Sequence, residues 1–196
     1  LKVTGFVRSP HATTFPDVRI QLALASGLSR DPRDGLDPFP GFNLGSYDIY
    51  PTSTGSVHIV SSDPRAAPQM NANYFAQERD LAVNLWAMKF NRALVEQPSL
   101  KAITVRETSP GPEVVTDDEL TEFMRNTAQT SWHTVGSCKM GDGPMAVVDA
   151  QLRVHGISGL RVADASVMPI HVSSNTNIPS ITVGEKAADL VLGNRR

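Results

Sequence analysis

The chain has little of what usually places a sequence quickly. Its single cysteine, Cys138, excludes an internal disulfide and any cysteine-rich zinc site. Net charge is almost absent: 18 Lys and Arg oppose 20 Asp and Glu, for a formal −2. That balance gives no electrostatic reason to expect nucleic acid or an anionic membrane surface as partner. No apolar run approaches the ~18 residues of a transmembrane helix. His11, His58, His155 and His171 stand at no metal-ligand spacing, so no metal site is expected. There is no internal repeat, no low-complexity tract and no legible signal peptide, and nothing assigns a compartment. What is present is ordinary globular material. With 196 residues and 40% hydrophobic content the chain can bury a core of its own, in one or two domains.

Residues 1 to 40 are loop-rich, with Pro10, Pro16, Pro32, Pro38 and Pro40. Within them Val18, Ile20, Leu22 and Leu24 alternate with Arg19, Gln21 and Ala23, the period of a strand with one buried face. Arg30 to Gly35 is a polar turn or flexible loop. Phe42 to Tyr50 reads as a second strand, Ser56 to Ser61 as its antiparallel partner, and Pro51 to Gly55 as the turn between them. Arg79 to Val95 is a helix with Leu81, Leu85, Met88 and Val95 along one stripe, flanked by Trp86, Phe90 and Ala93, and stopped by Pro98. Ala102 to Val105 is a short strand candidate. Thr116-Asp117-Asp118-Glu119 forms a capping box that opens a second helix, with Leu120, Phe123 and Met124 on its buried face.

The last third carries the chemistry. Leu160 to Ala163 is a short strand-like run behind Gly159, ended by Asp164-Ala165-Ser166. An irregular Ser, Asn and Pro loop follows. A helix then starts at Pro179, where a missing N–H is tolerated. From Ile181 to Leu192 that helix is apolar on nearly all sides, so it reads as buried, with Gly193 at its end. The N-terminus of a buried helix offers unpaired N–H groups and partial positive charge. It favours an anion, or a ring that becomes anionic in turnover. Upstream lies Ser131-Trp132-His133-Thr134-Val135-Gly136-Ser137-Cys138-Lys139-Met140-Gly141. A histidine beside a tryptophan is by itself most often a packing residue, and a loop asparagine a turn former.

Taken in order, these runs resemble the C-terminal signature of the glucose–methanol–choline (GMC) oxidoreductases. The matching stretches are His133-x-x-Gly136-Ser137-Cys138-x-Met140-Gly141, Asp164-Ala165-Ser166-x-Met168-Pro169, Asn175-Thr176-Asn177-x-Pro179 and Gly184-Glu185-Lys186-Ala187-Ala188-Asp189-Leu190. Pro51-Thr52-Ser53-Thr54-Gly55-Ser56-Val57 and Ser62-Asp63-Pro64-Arg65 are similar to the family as well. The likeness runs over roughly residues 40 to 192.

The resemblance implies an α+β chain: an antiparallel sheet with helices in a substrate-binding domain, residues 1–125, and a strand–loop–helix segment, residues 126–196, that completes an FAD-binding α/β domain. It implies FAD as cofactor and a small alcohol as substrate. His133 would take the hydroxyl proton, a task suited to an imidazole with an unperturbed pKa of ~6.5. Asn175 would donate to the developing alkoxide. Asp164, Ala165, Thr176, Asn177 and Pro179 would contact the cofactor, largely through backbone atoms. Cys138 would be a small packed residue, and Lys186 an ion-pairing residue of the helix face.

The family's G-x-G-x-x-G dinucleotide fingerprint has no counterpart here, and the chain begins with Leu1. The expectation is the C-terminal part of a longer enzyme, with the N-terminal FAD-binding portion on the same polypeptide or a separate chain. Two rival functions stand beside alcohol oxidation: a flavin-containing hydroxynitrile lyase, and a non-catalytic binding module.

Overall fold

Alternation builds the first sheet. β2 (Val18–Ala23) pairs antiparallel on one side with β1 (Lys2–Val7) and on the other with β3 (Asn43–Asp48), giving the order β1-β2-β3. Val18 and Ile20 enter the core, as the period of two requires. Arg19 takes the other face, where its guanidinium lies 5.9 Å from the rings of its cross-strand neighbours Phe6 and Tyr47. The structure, a computed structural model, describes residues 2–27, 35–173 and 175–193. Of the polar turn expected from Arg30 to Gly35, only Gly35 lies within them.

The chain divides into two compact units, Leu1–Thr54 with Asn73–Ala128, and Gly55–Ala72 with Gln129–Arg196. In the first unit α1 (Glu78–Val95) covers the three-stranded sheet. Its buried seam is Val83 and Ala87, with Trp86, Phe90 and Leu94 packed alongside. That seam lies beside the predicted stripe of Leu81, Leu85 and Met88, which is only half-buried. Small Ala87 and the Trp86–Phe90 stack, with centroids 4.9 Å apart, decide which side faces the sheet. After α2 (Pro98–Lys101), α3 (Asp117–Thr127) packs on α1. The expected capping box is formed in both directions, and Leu120 and Met124 are buried. No strand forms at 102–105. Val105 is 97% exposed, and the segment finds no sheet edge to pair with.

The pairing expected for residues 56–61 is also different. β4 (Ser56–His58) pairs with β5 (Gln69–Asn71) rather than with β3. The reason is the treatment of the segment before it. Asp80, on the first turn of α1 and 3% exposed, accepts hydrogen bonds from the Thr52 and Ser53 amides and the Thr52 hydroxyl. Residues 52–53 are therefore held against a helix start and do not turn back along β3. Gly55 follows because a Cβ there would stand 2.1 Å from the Asn71 carbonyl oxygen.

The second unit contains the β4–β5 hairpin, a series of isolated bridges, a 3-10 turn at Ala165–Val167 and α4 (Asn177–Leu192). Leu160 to Ala163 contributes a single bridge, Arg153 to Arg161, instead of a strand. Its core is Val148, Leu152, Val167 and Ala187, with Met140, Val154, Val162, Val183 and Leu190 around them. Helix α4 begins at Asn177, two residues earlier than expected, with Pro179 still in the first turn, where the N–H has no intrahelical partner. Gly193 ends it at φ 72°, the left-handed conformation glycine adopts without strain. The expectation of an all-round buried helix does not hold within this chain. Ala187 is buried, but Ile178, Ile181, Val191 and Leu192 are more than half exposed.

Candidate active site

The segment that carries His133 is laid down on the segment that carries Asp164 and Ala165. The carbonyl of Ser166 accepts from the Gly136 amide at 3.1 Å and the Cys138 amide at 3.0 Å, and the Val167 carbonyl accepts from Met140 at 2.9 Å. Gly136 has φ 87°, so the turn after His133 calls for glycine. Trp132, just before it, is itself left-handed at φ 58°, with its amide donating to Thr130 Oγ1 at 3.0 Å. A bulky residue in that region stores strain of about 1–3 kcal/mol, which surrounding structure must outweigh. Half-buried Cys138 is held here by its backbone.

Asp164 shapes the turn that follows. Its Oδ1 accepts from the Ser166 amide at 2.8 Å and from the Ser166 hydroxyl, so it caps the 3-10 turn at Ala165. Those two bonds hold the carboxyl below the usual carboxylate range. At the end of the turn, Val167 and Met168 are buried and anchor the strip in the core.

His133 meets the start of α4 across 43 residues of sequence. Its Nδ1 is 3.2 Å from Thr176 Oγ1, and the Thr176 amide N–H points at the same nitrogen from 3.5 Å. Thr176 is 7% exposed. It is the N-cap residue of a 16-residue helix, yet its side chain makes no capping bond. Its carbonyl accepts from the Ser180 amide at 2.9 Å and the Ser180 hydroxyl at 2.6 Å, so backbone and side chain are divided between helix and imidazole. Asn175, exposed, precedes Thr176, and exposed Asn177 and half-buried Pro179 occupy the first helical turn. The side-chain amide of Asn175 and the imidazole of His133 thus flank Thr176 in sequence and in space respectively. Ser174 lies outside the described residues.

Electrostatically the first turn of α4 presents the N–H groups of Asn177 and Ile178, which the Thr176 side chain does not cap, beside the exposed apolar surface of Ile178 and Ile181. Close by in sequence, His171 Nδ1 is buried without a hydrogen-bond partner. Sequence reasoning named Thr176 for its backbone and missed the contact of its hydroxyl with His133. The signal available was a threonine at a helix start. Ser166 was quoted within the motif but not as the carbonyl that docks the histidine loop. Among the described residues no three His, Cys, Asp or Glu side chains gather as a metal site, and no helix is long and apolar enough to cross a membrane.

Known proteins resemble this chain in sequence and in fold. The oxygen-dependent choline dehydrogenase of Chromohalobacter salexigens is 39% identical over 189 residues, 96% of this chain and 34% of that protein. A protein of the same name from Escherichia coli is also 39% identical, over 96% of this chain and 33% of its own length. Among solved structures, pyridoxine 4-oxidase from Mesorbium loti superposes with a TM-score of 0.83 at 25% identity, over 98% of this chain and 38% of that one. Formate oxidase of Aspergillus oryzae, a protein studied for FAD modification, gives a TM-score of 0.82 at 27% identity, over 93% of this chain and 32% of its own. The chain therefore spans about a third of the length of the curated relatives it matches. A family model described as GMC oxidoreductase matches residues 51–184, which include His133, the Asp164 turn and the start of α4, and the chain belongs to the GMC oxidoreductases, a family of FAD-dependent enzymes.

Proposed function

We propose that this chain contributes the catalytic histidine and part of the flavin site to an enzyme that oxidises a primary or secondary alcohol to the carbonyl. The observation that carries the proposal is the meeting of His133 with the start of α4, one residue from Asn175. Residues 1–125 belong to the substrate-binding domain in this reading, and residues 126–196 carry the catalytic motif and the returning segment of the FAD domain. The partner is an N-terminal FAD-binding portion, on the same or a separate chain.

The residues present fit a flavin ring. The uncapped N–H groups at the start of α4 suit a ring edge that gains negative charge, and Ala165, Ile178 and Pro179 offer small or apolar surface. Asp164 would hold the turn under the cofactor, and Thr176 and Asn177 would present backbone atoms. Bound FAD supplies the hydride acceptor at N5. His133 accepts the hydroxyl proton as the α-hydrogen leaves with its electron pair, so that proton and hydride together account for the two hydrogens lost. Asn175 donates a hydrogen bond to the oxygen as it becomes an alkoxide, without titrating. Since the relatives at 39% identity are named as choline dehydrogenases, choline-like amino alcohols are the first substrates to try.

The test is His133→Ala in the complete FAD-loaded enzyme. It should retain FAD and fold, and slow anaerobic flavin reduction by about 10²–10⁴-fold, the usual contribution of a positioned acid or base. Reduction at the wild-type rate would remove His133 from the mechanism. Failure of every alcohol to bleach the wild-type flavin would favour the lyase reading instead.

A further inference from the structure

The contact between His133 and Thr176 has a chemical consequence. A neutral imidazole carries one ring hydrogen. For Nε2 to accept a proton, that hydrogen must sit on Nδ1, and Nδ1 needs an acceptor. Thr176 Oγ1, 3.2 Å away, is able to accept. It is 7% exposed, and it is not spent on capping its own helix, the usual duty of a threonine at that position. The nearby amide N–H of Thr176 can only donate. Alone it would draw the lone pair to Nδ1 and the hydrogen to Nε2, leaving Nε2 unable to accept a proton. It stands farther off, at 3.5 Å, the outer limit of a hydrogen bond.

We infer that Thr176 is the positioning residue of the reaction: its hydroxyl accepts the Nδ1 hydrogen of His133, fixes the ring, and leaves Nε2 as the proton acceptor. This rests on the proposed role of His133 as base. The helix supports it from behind, because the Thr176 carbonyl accepts from both the amide and the hydroxyl of Ser180. Valine at 176 preserves shape and removes the acceptor, whereas serine retains it.

In the complete FAD-loaded enzyme, Thr176→Val should slow anaerobic flavin reduction at saturating alcohol on the order of 10–100-fold, the range for partners that orient metal-bound histidines. The alcohol concentration giving half the maximal rate should stay nearly unchanged. Thr176→Ser should recover most of the rate. A Thr176→Val enzyme as fast as wild type, alongside a slow His133→Ala enzyme, overturns the inference and leaves the base intact. A fast His133→Ala enzyme overturns the base itself. Should Thr176→Val fail to fold or to retain FAD, the wild-type enzyme still decides. The ¹⁵N spectrum of its His133 ring, assigned by difference from His133→Ala, should show a hydrogen on Nδ1 and none on Nε2. A neutral ring protonated on Nε2 overturns the inference.

Discussion

Replacing Asp80 with alanine should release the segment that leads out of the three-stranded sheet. Asp80 Oδ2 accepts from the Thr52 amide at 2.9 Å and the Ser53 amide at 2.6 Å, and Oδ1 accepts from the Thr52 hydroxyl at 2.8 Å. Hydrogen bonds to a charged group contribute about 1.5–3 kcal/mol each, so three at the lower figure would total ~4.5 kcal/mol. Thr52 is exposed, and water recovers part of that once the carboxylate is gone. The expected loss is about 3 kcal/mol, on the order of a hundredfold in the opening equilibrium. Asp80→Asn keeps one acceptor oxygen and should lose only about 1 kcal/mol. Amide hydrogen exchange in the complete protein reads this directly, through the protection of Thr52 and Ser53. The pH dependence is a second check. Burial pushes the Asp80 carboxyl up, but the hydrogen bonds from Ser53 and Thr52 together bring it below its ordinary value. A carboxyl depressed in the folded state stabilises above its unfolded pKa of ~3.9. That stabilisation is lost as pH falls through the lower folded value, so wild type and Asp80→Ala should converge in strong acid. Equal protection at neutral pH, or a difference that persists in strong acid, would refute the reasoning. Neighbouring Asp48 has the opposite sign. Burial raises it despite the Tyr50 amide and Arg79, so its contribution is present below the unfolded pKa and is lost as pH rises through the folded one.

Two further outcomes are expected. Asn175→Ala should leave FAD content unchanged and slow anaerobic flavin reduction about a hundredfold, the usual effect of one lost oxyanion donor; an unchanged rate would exclude Asn175. Gly55→Ala places a methyl group 2.1 Å from the Asn71 oxygen and 2.9 Å from that of Ala72, both backbone atoms. Forcing them apart should destabilise by about 1–3 kcal/mol, measured as a lower unfolding midpoint, and wild-type stability would show that the hairpin base yields freely.

What could be read from the sequence was whatever a local rule governs. The alternation at Val18 and Ile20, the capping box at Thr116 and the glycine at 193 each depend on a few neighbours, and each formed as expected. The order of the motifs likewise points to the family that the match over residues 51–184 shows. The misread elements depend on partners far along the chain. Nothing in Ser56 to Ser61 states that Asp80, on a later helix, will hold Thr52 and Ser53, and so deny β4 the neighbour nearest in sequence. The β-branched run at 102–105 has strand propensity but no edge, and propensity without a partner leaves Val105 in solvent.

The contact of His133 with Thr176 belongs to the same class, since it joins residues 43 apart through a hydroxyl that local rules assign to helix capping. Helix α4 shows the converse. Its apolar composition leads to the expectation of burial, and in the proposed function that exposed apolar face is covered by the flavin and the N-terminal FAD-binding portion; this chain spans about a third of its relatives' length. Ile178 and Ile181 are exposed on the first turns of a helix whose N-cap side chain, Thr176, makes no capping bond. Apolar surface beside uncapped N–H groups is a poor match for water and a good match for a flat heteroaromatic ring that carries negative charge. The misreading of α4 as buried and the proposal of a flavin at its N-terminus therefore have one physical origin.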